Sequence, residues 1–131
     1  MNITPDNITK LSDTEIFVFG SNYAGRHGRG AALLAVRKFG AINGKGTGLM
    51  GRSYGIATKD RNIKTLPLAS IEAQVDKFMI FASKNKDKKF LVTEIGCGLA
   101  GYKIKDIAPM FLKHSIPDNV SLPKRFWDFV A

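Results

Sequence analysis

The chain reads as one α/β layered domain, and three observations predict it. Short apolar runs rich in Phe, Val and Ile alternate with longer helix-like stretches along the whole sequence. The length is 131 residues, with 44% hydrophobic side chains and nine Phe, enough for a single domain with a substantial core. Two glycine clusters each stand between an apolar run and a helix-like one, where an open α/β sheet places its ligand loops. No repeat, low-complexity tract or linker divides the sequence, so residues 1–131 are read as one domain.

The elements follow in order. Residues 1–14 form a lead-in, with turn chemistry from Asn7, Thr9, Ser12 and Asp13. Glu15–Gly20 is too short for a helix and rich in Phe and Val, which predicts a buried strand. Residues 28–39 read as a helix, since Ala and Leu propagate helices and Gly40 supplies a stop. That helix is apolar on most sides, so it is expected between two layers. Gly44–Gly51 is expected as an irregular glycine-rich loop, Ser53–Thr58 as a short strand, and Lys59–Asn62 as a polar loop. Ser70 is placed to cap a helix with Ile71, Val75, Phe78, Met79 and Ala82 along one face. Lys84–Lys89 reads as a solvated loop leading to a buried strand over Phe90–Ile95. Asp106 is placed to cap a helix carrying Ile107, Met110 and Phe111, with Pro109 expected in its first turn. A strand near Asn119–Leu122 and a terminal segment, Arg125–Val130, close the sequence.

Charge and cysteine usage narrow the function classes. The formal net charge is +9, from 20 Lys and Arg against 11 Asp and Glu. Such an excess favours phosphate-bearing partners and leaves RNA or DNA open as one of them. The cations are dispersed, with no basic tail. No apolar run approaches the ~20 residues that span a bilayer, so no membrane partner is expected. Met1–Asp6 has neither a basic n-region nor an apolar h-region, and Cys97 is the single cysteine. Both features lead to the expectation of a cytoplasmic protein. His27 and His114 have no Cys or carboxylate at metal-site spacing, so no metal is expected, and no cofactor either. Oligomeric state leaves no mark in the sequence.

The chemistry concentrates in the two glycine clusters. The first is Gly25-Arg26-His27-Gly28-Arg29-Gly30, after a run ending in Gly20-Ser21-Asn22; the second is Gly96-Cys97-Gly98-Leu99-Ala100-Gly101. Glycine permits close approach of a ligand to the backbone. A helix beginning just beyond such a loop points free N–H groups and its positive dipole end at that ligand, which suits a phosphate. Two such loops can hold a diphosphate between them. The second cluster matches G-x-G-x-x-G, but only 30 residues follow Gly101, too few for a dinucleotide-binding dehydrogenase fold. The P-loop pattern is absent, because Gly44-Lys45 precedes Gly46. Arg26, His27 and Arg29 either contact phosphate, alongside the amides of Gly28 to Ala31, or decorate an exposed loop. Asn22 either meets a ribose hydroxyl or starts an Asx turn. Cys97 lies in a setting that can lower a thiol pKa, though no partner base is evident and a filler role is the plainer reading. Tyr102 and Tyr23 either stack on a ring or pack.

These motifs carry a resemblance. A strand ending in Asn22 and running into Gly28-Arg29-Gly30-Ala31-Ala32 resembles the first ligand-binding region of macrodomains. Ile95-Gly96-Cys97-Gly98-Leu99-Ala100-Gly101-Tyr102 looks like their second, phosphate-gripping loop. More closely, Phe17–Asn22, Ala24–Gly28 and Gly96–Tyr102 are similar to a compact macrodomain-like family of bacteria and their phages. The resemblance covers roughly residues 15–122 by order of elements. It implies a three-layer α/β/α fold with a mixed sheet, and binding of ADP-ribose or a related nucleotide by a reader or sequestering module. It implies that Asn22 lies near the distal ribose. Gly28, Gly30 and Ala31 would line one side of the diphosphate, and Gly98, Leu99, Ala100, Gly101 and Tyr102 the other. Many macrodomains carry an early acid that contacts adenine; Asp6 and Asp13 are the acids available here, neither in a matching motif. The alternatives of the same fold are an ADP-ribosyl hydrolase and an ADP-ribose-1″-phosphate phosphatase. Related enzymes place an acid directly after the second loop, whereas this chain reads Tyr102-Lys103-Ile104, so no catalytic residue is assigned.

Overall fold

A computed structural model of the chain describes residues 2–129. Nine elements follow one another: β1 (Glu15–Asn22), α1 (Gly30–Lys38), β2 (Gly48–Met50), β3 (Ser53–Lys59), α2 (Leu68–Lys84), β4 (Lys89–Val92), α3 (Ile104–Leu112), β5 (Val120–Ser121) and α4 (Lys124–Trp127). The strands form one five-stranded sheet in the order β2-β3-β1-β4-β5. β1 is central and runs parallel to β3 on one side and β4 on the other. β5 continues the parallel set, and β2 is an antiparallel edge joined to β3 by a tight hairpin. Residues of the lead-in extend the other edge, where Ile3 bridges Leu122.

Helices cover both faces of the sheet, giving three layers, α/β/α. The alternation along β1 makes this visible. Ile16 and Val18 join the larger core with Ile71, Phe78, Phe90, Ile107 and Phe111 from α2, β4 and α3. Phe17 and Phe19 point to the opposite face and join Ala32, Ala35 and Phe39 on and after α1. A strand buried on both faces reads as a continuous apolar run, as this one does. Aromatic rings dominate the larger core. Phe78 meets Tyr54 at 5.1 Å, Phe90 at 5.5 Å and Phe111 at 6.4 Å between centroids, all at steep angles.

Several expectations need correction. α1 is not sandwiched between layers: only Ala32 and Ala35 are buried, because this helix alone covers its face and its outer side meets solvent. It also starts at Gly30, since Arg29 is still extended. The Gly44–Gly51 stretch is not wholly irregular; Gly48–Met50 pairs with β3. α2 begins at Leu68 behind Pro67, so Ser70 lies inside the first turn rather than at the cap. Its expected face, Ile71, Val75, Phe78, Met79 and Ala82, is the buried one. β4 spans Lys89–Val92, and residues 93–95 already belong to the following loop. Asp106 is not the cap of α3: Lys103 is, and the Asp106 carboxylate accepts its backbone N–H at 3.0 Å. Of the expected terminal segment, Val130 lies outside the described residues.

Pro109 is the clearest of these corrections. It sits mid-helix in the nine-residue α3 rather than in the first turn. Having no N–H, it leaves the Lys105 carbonyl without its helical donor. The position is exposed, so water reaches the gap. The helix survives because Ile107, Ala108, Met110 and Phe111 are all buried against the core. Beyond α3, His114 hydrogen-bonds Asp76 of α2 at 2.8 Å and Lys113 reaches the same carboxylate, clamping the two helices. Among the described residues no helix is long and apolar enough to cross a membrane. Restoring the missing hydrogen bond should stabilise the domain. Pro109→Ala is expected to raise stability by about 1–2 kcal/mol after the entropy it returns to the unfolded chain, read as a higher urea midpoint at unchanged slope.

Candidate functional site

Because β1, β3 and β4 are parallel neighbours, their carboxyl ends meet at one edge of the sheet, where open α/β folds bind ligands. A cavity of about 510 Å³ opens there. Its floor is Gly20, Ser21 and Asn22 of β1, Thr58 and Lys59 of β3, and Thr93 to Ile95 after β4. One wall is Arg26, Gly28 and Arg29 of the first glycine loop with Gly30 to Ala32 at the start of α1. Opposite stand Gly96, Gly98, Leu99 and Ala100 of the second loop, and Ile63 from the loop after β3.

The polar groups divide into two sets. Those of the floor are turned inward. The Thr93 hydroxyl donates to the Val18 carbonyl at 2.7 Å, Thr58 donates to the Ser21 carbonyl at 3.2 Å, and the Ser21 hydroxyl donates to the Gly46 carbonyl. Glu94 is spanned by Arg125, whose Nε and terminal nitrogen meet its two oxygens at 2.7 and 2.5 Å. The walls are different. The amides of Gly28 to Ala32 and of Gly98, Leu99 and Ala100 donate to no acceptor among the described residues. Arg26 and Arg29 of the walls, like Lys59 at the edge of the floor, form no ion pair among the described residues. The cavity therefore presents free donors and positive charge, and its one lining carboxylate is already neutralised. That pattern is chemically suited to an anion.

The structure brings Asn22, Arg26, Gly28, Arg29, Gly30, Ala31, Gly96, Gly98, Leu99 and Ala100 to this cavity, and leaves five of the expected residues out of its lining. His27 is the instructive one. It is 2% exposed and points away from the cavity contacts expected of it. Its Nε2 lies 3.0 Å from the Ile42 carbonyl and 2.8 Å from the Lys45 carbonyl. Both are acceptors only, so Nε2 carries the hydrogen. The ring also packs edge-on against Phe19 at 5.4 Å. His27 is thus a pin that fastens the 41–46 segment beneath the first glycine loop, not a phosphate ligand.

Gly25 serves the same junction. A side chain there would run into the backbone of Gly44 and Lys45, and the Gly25 carbonyl accepts from the Gly44 N–H at 2.9 Å. Gly46 lies so close on the end of β1 that a Cβ would collide with the Asn22 carbonyl. Asn22 itself engages the loop with both ends of its amide. Its Oδ1 accepts from the Arg26 N–H at 3.0 Å and its Nδ2 donates to the Arg26 carbonyl at 2.8 Å. Asn22 thus forms the turn and supports the first loop from the floor of the cavity.

In the second loop, Gly101 closes a turn by donating to the Gly98 carbonyl at 3.0 Å. Tyr102 packs on the core and donates its hydroxyl to the Leu66 carbonyl at 2.6 Å, neither stacking nor lining. Cys97 packs against the larger core and donates to the Ile95 carbonyl at 3.4 Å. Its thiol is not activated. Burial, then the negative charge of Glu94, pushes its pKa up from 9.0 to about 11. The helix that would have lowered it starts only at Ile104.

Lys59, Ile63, Thr93 and Glu94 line the cavity without having been singled out. For Lys59, Thr93 and Glu94 the signal is sheet order: once β3 and β4 flank β1 in parallel, the residues ending both strands must share its edge. Comparison with protein-family models, with curated proteins and with solved structures returned no match for this chain.

Two measurements check these placements. His27→Ala should cost on the order of 2–4 kcal/mol in chemical denaturation, since it opens a buried hole and strips the Lys45 carbonyl of its donor. Cys97 should alkylate slowly. With the thiolate fraction falling tenfold per unit of raised pKa, iodoacetamide at about pH 8 should modify it roughly 100-fold more slowly than an ordinary thiol, the rate climbing toward pH 11.

Proposed function

We propose that the chain binds ADP-ribose or a related nucleoside diphosphate, as a reader or sequestering module. One observation carries this reading: two loops whose amides find no acceptor among the described residues line a single cavity at the carboxyl ends of β1 and β4. A diphosphate supplies acceptors to both walls at once. Arg26, Arg29 and Lys59 add charge at the same place. The volume of about 510 Å³ lies within the about 300–1,000 Å³ common to small-molecule sites. The resemblance of both loops to macrodomains supports the ADP-ribose assignment within that class, and a bacterial or phage setting with it.

Binding is favoured over turnover by the state of the lining groups. Hydrolysis of an ADP-ribosyl linkage or of a 1″-phosphate needs a group to orient or deprotonate water. Glu94 is the carboxylate of the lining, and Arg125 holds it. The hydroxyls of Ser21, Thr58 and Thr93 donate to backbone carbonyls. A nucleic-acid role would draw instead on the dispersed surface cations, and would collapse with salt in proportion to the phosphates contacted.

The test is a titration of ADP-ribose, NAD, AMP, pyrophosphate, a cyclic dinucleotide and a short RNA at physiological salt. A true ligand at about 100 times its Kd should add about 2.7 kcal/mol of stability. Gly98→Glu is the diagnostic variant. The Gly98 backbone is not left-handed, and a Cβ there meets nothing within 4 Å, so the fold accepts the change. Its carboxylate at the mouth should cut affinity at least about tenfold while the apo melting temperature stays within a few degrees. Unchanged ADP-ribose affinity in a folded Gly98→Glu protein excludes the reading.

A further inference from the structure

Ile63 is the one non-glycine among the described residues with a left-handed backbone, at φ 62°. For a β-branched side chain this is a real outlier, because the branch crowds the backbone. Neighbouring loops use glycine for such conformations, and Asn62 beside it is a residue type that tolerates them. The strain is enforced by the loop's own frame. The Asp60 carboxylate accepts from the Asn62 N–H at 2.8 Å and the Lys64 N–H at 3.0 Å, and the Asp60 carbonyl accepts from the Ile63 N–H at 3.1 Å.

No packing explains what the strain achieves. Ile63 belongs to neither apolar core. It is half-buried, and it lines the cavity. Leu99, 66% exposed, lines the cavity too and likewise belongs to neither core. The loops that carry them are tied together: the Thr65 hydroxyl donates to the Ala100 carbonyl at 2.9 Å, and Tyr102 donates to the Leu66 carbonyl. Two aliphatic side chains unused by the fold therefore stand on one wall, opposite the amides and cations of the other. A ligand matched to that slot carries, besides a diphosphate for the amides of both walls, a flat, weakly polar ring that can lie against these side chains.

We propose that Ile63, supported by Leu99, forms an aliphatic shelf for the base of the nucleotide, and that its strained backbone is kept for this contact. The shelf makes Ile63 a specificity-determining residue for nucleosides over bare phosphates. Strain held at a ligand site is a recurrent device. The inference rests on the nucleoside-diphosphate reading of the cavity and adds to it which side chain selects the ring.

The experiment titrates the wild type, Ile63→Gly and Ile63→Asn with ADP-ribose and with pyrophosphate, the latter directly or as a competitor. Both substitutions suit a left-handed residue, and Asn keeps the loop stiffer than Gly does. The apo melting temperature of both should equal or exceed that of the wild type, as strain is released. Their ADP-ribose affinity should fall about tenfold, the loss of one buried aliphatic contact, while pyrophosphate affinity stays within about twofold. Unchanged ADP-ribose affinity in both variants overturns the shelf and leaves the diphosphate site standing. An equal loss for pyrophosphate also overturns it, since the residue would then act by shaping the loop. A wild type that binds neither probe removes the underlying site and the shelf together.

Discussion

β1 lies in parallel between β3 and β4, and the site follows from that pairing. A parallel neighbour on each side forces three carboxyl ends to one edge. The chain leaving each of them must cross that edge to reach its helix, so three loops are delivered to the same place. The connection after β1 goes to α1 on one face, whereas those after β3 and β4 go to α2 and α3 on the other. The loops therefore cannot stack in a single layer. They stand as two walls, and the gap between them is the cavity.

The walls suit the proposed anion because of how backbone hydrogen bonding is distributed around them. A buried hydroxyl without a partner is costly, so those of the floor are spent on the backbone: three of them donate to the carbonyls of Val18, Ser21 and Gly46. Beneath the first loop, His27, Gly25 and Gly46 bind the 41–46 segment so closely that this loop has a firm base. Rigidity below allows the amides above to remain unpaired without collapsing onto one another. A donor set fixed in advance loses little entropy when the ligand arrives. The pin at His27 thus bears on the site although its ring touches none of it.

The elements that could be read from the sequence are those whose signal is local. The Phe and Val run of β1, the buried stripe Ile71-Val75-Phe78-Met79-Ala82 and the glycines before Ala31 depend on spacing within one segment. What escaped depends on partners far along the chain. His27 looks like a loop cation until the carbonyls of Ile42 and Lys45 are brought to it. For Cys97 the setting that can lower a thiol pKa and the plainer filler role stand side by side in the sequence, and its burial beside Glu94 with the late start of α3 decides for the filler. Pro109 looks like a first-turn residue only while Asp106 is taken for the cap; Lys103 in that role moves it to mid-helix, where four buried neighbours outweigh its defect. Ile63 carries no sequence signal, since the frame that bends it left-handed is set by Asp60 and its place in the cavity lining by the fold.

Net charge deserves a narrower meaning here than +9 suggests. Dispersed cations raise the concentration of every anion near the surface and speed its arrival, but they discriminate little among anions. Discrimination requires donors in a fixed arrangement. In the proposed site the amides of Gly28 to Ala32 and of Gly98 to Ala100 are that arrangement, without any formal charge. A site built this way keeps its geometry when salt screens Arg26, Arg29 and Lys59. On that proposal salt acts mainly on how fast a small ligand is captured, while the amides determine how long it stays. An extended polyanion would respond differently, because its affinity comes from the very charges that salt neutralises.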